Sequence, residues 1–434
     1  MSVILVAVPT DHPVLSAPPS TADVAPTRMT VRDRRSALLP TGLLVAAILL
    51  VAGNLRPVVT SLGSVLDLVH GSLHTSSAWV SVLTALPGLC FGLAGFLAPL
   101  LARRLGLARA IGLAMLLLTV GALVRVLDGA SVVLGGTLVA CAGIAVCNVL
   151  IPVVVKQSYP HRIGLITGLY TAVLQGAAAL GSFLTPITAS AAGGWRPALG
   201  QWGLLAVLGT LGWVAAARHG GTRSTVVVVD DDAVAEHRVV EPTSSRRSLW
   251  RNPLAWTVTA FFGLQSMFAY EMMGWAPQVL MSAGVSRGEA GAMLAVMGVL
   301  GVPLSLLLAP LAARQRSQSG WLVGLTLLGA IGIVGLLVAP GAAPWLWSVT
   351  VGVGMGVFAI AVALIPLRTK NSADTQALST MVQGVGYLLA AVGPFAFGLL
   401  HGSTGGWTAS LTLMLAGVAV QAVFGWLAGR PRYI

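Results

Sequence analysis

Of the 25 basic residues in this 434-residue chain, 21 fall in its tails or in every second connection between long apolar segments. Arg125, Arg196 and Arg287 fall in the intervening connections, and Arg56 lies inside an apolar segment. A soluble protein has no reason to sort its cations in this way. A polytopic membrane protein does, because Lys and Arg in short loops are retained on the cytoplasmic side. The pattern predicts a multi-pass protein of the inner (cytoplasmic) membrane with both termini in the cytoplasm. Composition agrees, since 56% of residues are hydrophobic and 9% charged, against about 25% charged in an ordinary soluble domain. No Asp, Glu, Lys or Arg occurs in the 51 residues between Arg316 and Arg368 or in the 55 between Asp374 and Arg430. Each stretch is long enough for two spans of about 20 residues.

The formal charge of +12 does not point to nucleic acid, because the cations are dispersed over short loops with no aromatic surface beside them. Anionic lipid headgroups are the expected counter-surface. Cys90, Cys141 and Cys147 all sit in apolar segments, with neither a disulfide framework nor zinc spacing. No nucleotide-binding motif is present, so neither a cofactor nor a metal is expected and ATP-driven transport is not. The spans hold no Ser-His pair, His-Glu-x-x-His motif or paired Asp, which argues against an intramembrane enzyme.

Hydrophobic windows predict an all-α integral membrane protein of twelve helices. They lie near 40–69, 76–101, 107–127, 131–156, 163–190 and 196–217 in the first half, and near 254–282, 288–312, 320–339, 343–368, 375–401 and 407–428 in the second. Helices are preferred to strands because the runs are long and unalternating, and each span must satisfy its own backbone in lipid. The expected organisation is a disordered cytoplasmic tail over 1–38, a six-helix bundle over 39–217, a cytoplasmic linker over 218–252, a second six-helix bundle over 253–428 and a cytoplasmic tail over 429–434. The opening MSVILVAVP is too short for a signal peptide, and Met29 is an alternative start. The linker mixes six Arg with Asp230, Asp231, Asp232, Glu236 and Glu241, although its TVVVVD run could form a short strand.

The halves resemble each other. Ala98-Pro-Leu-Leu-Ala-Arg-Arg104 parallels Ala309-Pro-Leu-Ala-Ala-Arg-Gln315 at a spacing of 211, Ile151-Pro152 parallels Ile365-Pro366 at 214, and Gly193-Gly-Trp195 parallels Gly405-Gly-Trp407 at 212. Near-constant spacing over three separate matches is what a duplicated transporter shows.

Twelve helices in two six-helix repeats resemble the major facilitator superfamily of secondary transporters. The loop Ala102-Arg-Arg-Leu-Gly-Leu-Ala-Arg109 looks like a degenerate form of that superfamily's Gly-x-x-x-Asp-Arg-x-Gly-Arg-Arg signature, with Arg103 in place of the usual acid. The resemblance implies a cytoplasmic gating role for Arg104, Gly106 and Arg109 and leaves no acid for a charge relay at Arg103. Within the superfamily the sequence is similar to the cyanate and 2-nitroimidazole transporter branch. The residues that carry this are Asn54-Leu-Arg-Pro57, Leu86-Pro-Gly-Leu-Cys-Phe-Gly92, Asn148-Val-Leu-Ile-Pro152, Gly164-Leu-Ile-Thr-Gly-Leu-Tyr170, Phe261-Phe-Gly-Leu-Gln265 and Met381-Val-Gln-Gly-Val-Gly-Tyr387.

Arg56 is the sharpest single candidate, because a guanidinium deep in a span costs at least about 2.5 to 3.5 kcal/mol on insertion scales. It reads as an anchor for an anion or polar ligand, or else as a structural cation paired internally. Pro57 removes a helix hydrogen bond to Gly53 and predicts a distorted backbone beside it. Asn54 and Gln265, related by the 211-residue offset, are expected to present amides to a central cavity. Asn148, Tyr170, Gln175, Gln383 and Tyr387 complete the substrate-binding candidates, each with interhelical packing as the competing role. Glu271 is the one acid placed inside a span away from its ends. It reads as a proton-coupling site, as a counter-ion to Arg56 in the empty protein, or as a solvated residue near the outer surface.

Together these features predict a secondary active transporter, acting as a monomer among membrane lipids. It would move a small polar or anionic compound by alternating access, with or without a coupled proton. A lipophilic-drug exporter of the same fold is the first alternative, and a membrane sensor that binds without transporting is the second.

Overall fold

The computed structural model describes residues 31–159, 162–218, 249–370 and 372–434. Residues 1–30, with the alternative start at Met29, and 219–248 of the expected linker lie outside them. The chain divides into two compact units. The described part of the first, residues 31–39, is helical, and 31–38 of it fall in the expected tail. Everything below concerns the second, Pro40–Ile434.

Sixteen helices are found among the described residues. Those of the first half are α1 (Val31–Asn54), α2 (Pro57–Ser64), α3 (Leu66–Leu73), α4 (Ser77–Leu105), α5 (Leu107–Val124), α6 (Ala130–Ser158), α7 (Ile163–Ala191) and α8 (Trp195–Arg218). Those of the second are α9 (Pro253–Ser282), α10 (Arg287–Val299), α11 (Gly301–Ala313), α12 (Ser319–Val338), α13 (Pro344–Met355), α14 (Phe358–Leu367), α15 (Ser372–Thr404) and α16 (Thr408–Ala428). They make the twelve expected spans. The first is broken into α1, α2 and α3, the eighth into α10 and α11, and the tenth into α13 and α14. Eleven helical segments among the described residues are long and apolar enough to cross a membrane. The remaining span, α9, has 30 residues, about 45 Å of helix, and carries the polar residues Gln265, Ser266, Tyr270, Glu271 and Gln278.

The duplication is visible in the packing. In the first half α5 lies against α6 and α8, α4 against α6, and α2 against α7. In the second, the repeat-equivalent pairs recur, with α12 against α13 and α16, α10 against α13, and α9 against α15. The halves meet through α4 with α15 and α7 with α10, two contacts exchanged by the same pseudo-symmetry, and through α2 with α9. The three sequence matches fall at equivalent places. Gly193 (φ 72°) and Gly405 (φ 69°) are both left-handed and turn the chain into α8 and α16, a conformation that only glycine adopts without strain.

Helix surfaces are sorted for lipid. On α8 the exposed large apolar residues are Leu204, Leu208 and Leu211, while Gly203, Ala206, Gly209 and the indoles of Trp202 and Trp213 are buried. Small residues at helix contacts let backbones approach, which supplies the packing that lipid cannot drive by the hydrophobic effect. Gly136 of α6 is such a contact, since a methyl group there would fall 2.6 Å from the Arg125 amide nitrogen, whereas its neighbour Gly135 faces open space. The loop ends form two sets. One carries Asp67, Asp128, Arg196 and Arg287, and is called the Asp67 face. The other carries Arg103, Arg104, Arg109, Lys156, Arg162, Arg314 and Arg316, and is called the Arg104 face.

Gly136→Ala is expected to lower the melting temperature in detergent, because overpacking costs about 1–3 kcal/mol. Gly135→Ala should leave it unchanged or raise it, as alanine is favoured over glycine in a helix by about 1 kcal/mol.

Candidate functional site

Arg56 occupies the interruption that Pro57 predicts. Asn54 ends α1, Pro57 begins α2, and Arg56 caps α2 with φ −117° and ψ −39°. Its guanidinium reaches across to α9, where Nη1 lies 3.8 Å from Met273 Sδ. A thioether is a weak acceptor, and the buried Nε has no protein partner among the described residues. The ion pairs found among those residues are Arg196–Asp128 and Arg287–Asp67, so no carboxylate neutralises Arg56 there. The expected counter-ion is elsewhere. Glu271 is almost fully buried between α9 and α15, and a methyl group on Gly393 would fall 2.5 Å from its Oε1. Glu271 Oε2 likewise lacks a protein partner. Its burial also removes the reading of a solvated acid near the surface.

Three phenols lie within electrostatic reach of the cation. Its charge acts on Tyr170 of α7, Tyr270 of α9 and Tyr387 of α15. Tyr270 and Tyr387 pack side by side, with ring centroids 6.1 Å apart. Phe91 of α4 packs 6.0 Å from the first ring and 5.7 Å from the second. Both halves therefore contribute, with Arg56, Phe91 and Tyr170 from one and Tyr270, Met273 and Tyr387 from the other. Guanidinium and phenolic hydroxyls are donors suited to a carboxylate, cyanate or nitro group. On the Asp67 side of this cluster lies a small cavity whose lining includes Val58, Leu62, Thr84, Cys141, Tyr270 and Met273.

The other candidates are distributed differently. Asn54 is buried and donates from Nδ2 to the Leu50 carbonyl at 2.8 Å, packed against Gly209 of α8. Gln265 is buried inside the second half, donating to the Met355 carbonyl at 3.2 Å and accepting from Gln421 Nε2 at 2.7 Å. The symmetry between these two amides is real, but both are turned into their own bundles and away from Arg56. Gln175 crosses between halves, with Nε2 3.2 Å from the Gly298 carbonyl beside the α10–α11 break. Gln383 donates to Ser379 Oγ at 2.7 Å, one turn back on α15. Asn148 is half-buried on α6. At the Arg104 face Gly106 joins α4 to α5 with φ 79°, and Arg103, Arg104 and Arg109 are exposed.

Two residues have roles that the sequence reading missed. Tyr270 stands 214 residues after Arg56, inside the 211–214 window of repeat offsets, and that coincidence is the signal that could have found it. Arg125, expected in a connection, is fully buried at the end of α5. It donates from Nη1 to the Val58 carbonyl at 2.6 Å and from Nη2 toward Ser61 Oγ at 3.5 Å.

Residues 43–394 match the Major Facilitator Superfamily. The chain belongs to that family. It is 37% identical to the uncharacterized transporter YycB of Bacillus subtilis (strain 168) over 90% of this chain and 94% of that one. It is 33% identical to the 2-nitroimidazole transporter of Escherichia coli (strain K12), covering 90% and 96%, and 27% identical to the cyanate transport protein CynX of the same organism, covering 82% and 90%. Among solved structures, a bacterial homologue of the human lysosomal transporter Spinster superposes with a TM-score of 0.69 at 14% identity, over 91% of this chain and 96% of that one. This chain is therefore a membrane transporter of the cyanate and 2-nitroimidazole branch and not an enzyme. Its family places it in secondary transport of small compounds.

Removing the uncompensated cation should stabilise the empty protein. Arg56→Met is expected to raise the ligand-free melting temperature in detergent, since insertion of a guanidinium costs about 2.5 to 3.5 kcal/mol and no ion pair is lost in exchange.

Proposed function

We propose that the transported compound is a small anion or a nitro compound, bound at Arg56 between two six-helix halves that rock around it. The observation that carries this is the half-buried Arg56, whose guanidinium meets a thioether, with three phenols within electrostatic reach, where a counter-ion would be expected. A ligand bearing negative charge or nitro oxygens supplies the missing acceptors and displaces only a weak Met273 contact. Cyanate and 2-nitroimidazole, named for two relatives, are both compounds of that kind. A lipophilic drug has no such group and gains nothing from the cation. By the distribution of Lys and Arg, the Arg104 face is cytoplasmic. The α4–α5 turn with Arg103, Arg104, Gly106 and Arg109 is then the cytoplasmic gate, and residues 218–252 link the halves on that side.

Cyanate, benzoate, 2-nitroimidazole and a lipophilic cation form a sufficient panel for thermal unfolding of the wild type and Arg56→Met. A ligand at 100 times its dissociation constant stabilises by about 2.7 kcal/mol. Stabilisation of the wild type by an anion or the nitro compound, absent in Arg56→Met, is the expected outcome. Equal stabilisation of both proteins by the lipophilic cation would favour the exporter instead.

The same reading assigns a coupled proton to Glu271. A carboxyl packed between α9 and α15, with Oε2 lacking a protein partner among the described residues, is held more cheaply in its neutral form. Glu271→Gln imitates that form. In proteoliposomes it is expected to retain counterflow of substrate and to lose the response of net uptake to a pH gradient; an unchanged response removes Glu271 from the coupling.

A further inference from the structure

Besides the Gln175–Gly298 contact, polar contacts that cross between the halves lie on the Asp67 side of Arg56. Gln278 Nε2 of α9 donates to the Gly63 carbonyl at 3.0 Å, and Gly63 approaches the Met273 carbonyl so closely that a methyl group would overlap it. Beyond them, at the loop ends, Arg287 of α10 is ion-paired with Asp67 of α3. The segment that connects this closed end to the substrate site is α2. Arg56 caps its first turn, Gly63 lies in its last, and Asp67 follows the second break at Val65. Thr60 Oγ1 donates to the Ala178 carbonyl at 2.9 Å, and Arg125 holds Val58, so α2 is braced within its own half. Eight residues of helix carry about 12 Å of rigid reach.

The Asp67–Arg287 pair is not an ordinary surface bridge. Its side chains are 32% and 33% exposed, and Asp67 Oδ1 and Arg287 Nε are buried without a protein partner among the described residues. Separating the halves would hydrate both charges. Neutralising one partner leaves the other buried and uncompensated in the closed arrangement alone, which shifts the balance toward opening. The second ion pair on this face, Arg196–Asp128, lies within the first half and is far more exposed, at 43% and 89%.

We propose that Asp67 and Arg287 form a latch that keeps the Asp67 face closed, and that α2 ties this latch to Arg56. The inference rests on the alternating-access reading above, but its test needs no ligand. Cys141 is buried and lines the cavity between Arg56 and the Asp67 face, so it reports opening. Proteoliposomes would be treated from one side at a time with a small, membrane-impermeant methanethiosulfonate, and the Cys141 adduct quantified by mass spectrometry. From the Asp67 side, Asp67→Asn and Arg287→Gln should each accelerate labelling at least about fivefold, the lower end for coupled sites. The charge-swapped pair Asp67→Arg with Arg287→Asp should return it toward the wild-type rate, and the control Asp128→Asn should leave it unchanged. If the single variants do not fold, the wild type itself is compared at 0.1 and 1 M salt (assay values on the order of those spanning strong and weak screening), and labelling should be faster at the higher. Rates unaltered by the single variants, a swap that labels like them, or salt independence of the wild type would each overturn the latch. Any of these leaves the anion reading intact, just as failed ligand stabilisation leaves the latch intact.

Discussion

Lipid offers the backbone no hydrogen-bond partner, and the features gathered around Arg56 follow from how the chain meets that demand where its first span is interrupted. A broken helix can persist at membrane depth only where protein groups replace the missing partners. Around α2 they do so from several directions. Arg125 donates to the Val58 carbonyl, Thr60 bonds to the Ala178 carbonyl, and Ser64 Oγ bonds to the Ser61 carbonyl at 2.9 Å. The interruption is thereby supported from the first half, while Arg56, standing in the gap, is left free to face the second.

Three buried or half-buried arginines in the bundles show how different such cations can be. Arg125 donates to a carbonyl and a hydroxyl. Arg368, near the Arg104 face, donates from Nε to the Ala428 carbonyl at 2.9 Å and from Nη2 to Gln318 Oε1. Both spend their charge on neutral acceptors that hold helix ends in place. Arg56 has a thioether and nearby phenols. The contrast lies in the acceptors that each cation meets.

Much of the architecture was legible because it is written in spacing and polarity. The repeat offsets located equivalent turns at Gly193 and Gly405, and Pro57 located the break beside Arg56. The direction in which a polar side chain points was less legible. Asn54 and Gln265 occupy symmetric positions, yet which neighbour an amide meets depends on helix rotation within a bundle, and a periodic apolar segment does not encode that sharply when both lipid and protein accept apolar side chains. Arg125 was misplaced for a related reason: a charged residue at a helix end reads as loop, and only the close approach of Gly136 and the α2 carbonyls makes a buried position tolerable. Tyr270 was obscured by its neighbour Glu271, because a formal charge within a span stands out where a phenol does not.

The two copies of the leading span have parted company since their duplication. In the second half, α9 runs unbroken for 30 residues, with Gln265 fastened through Gln421 and Thr326 to the helices around it. In the first half the corresponding stretch is cut twice, and Asn54, at the matching place, bonds only to its own helix. One copy has kept the character of a rod and the other has become a joint. A molecule built from two similar halves thus meets its centre with an unbroken leading helix from one side and an interrupted one from the other, so what is gathered there need not share the symmetry of the fold.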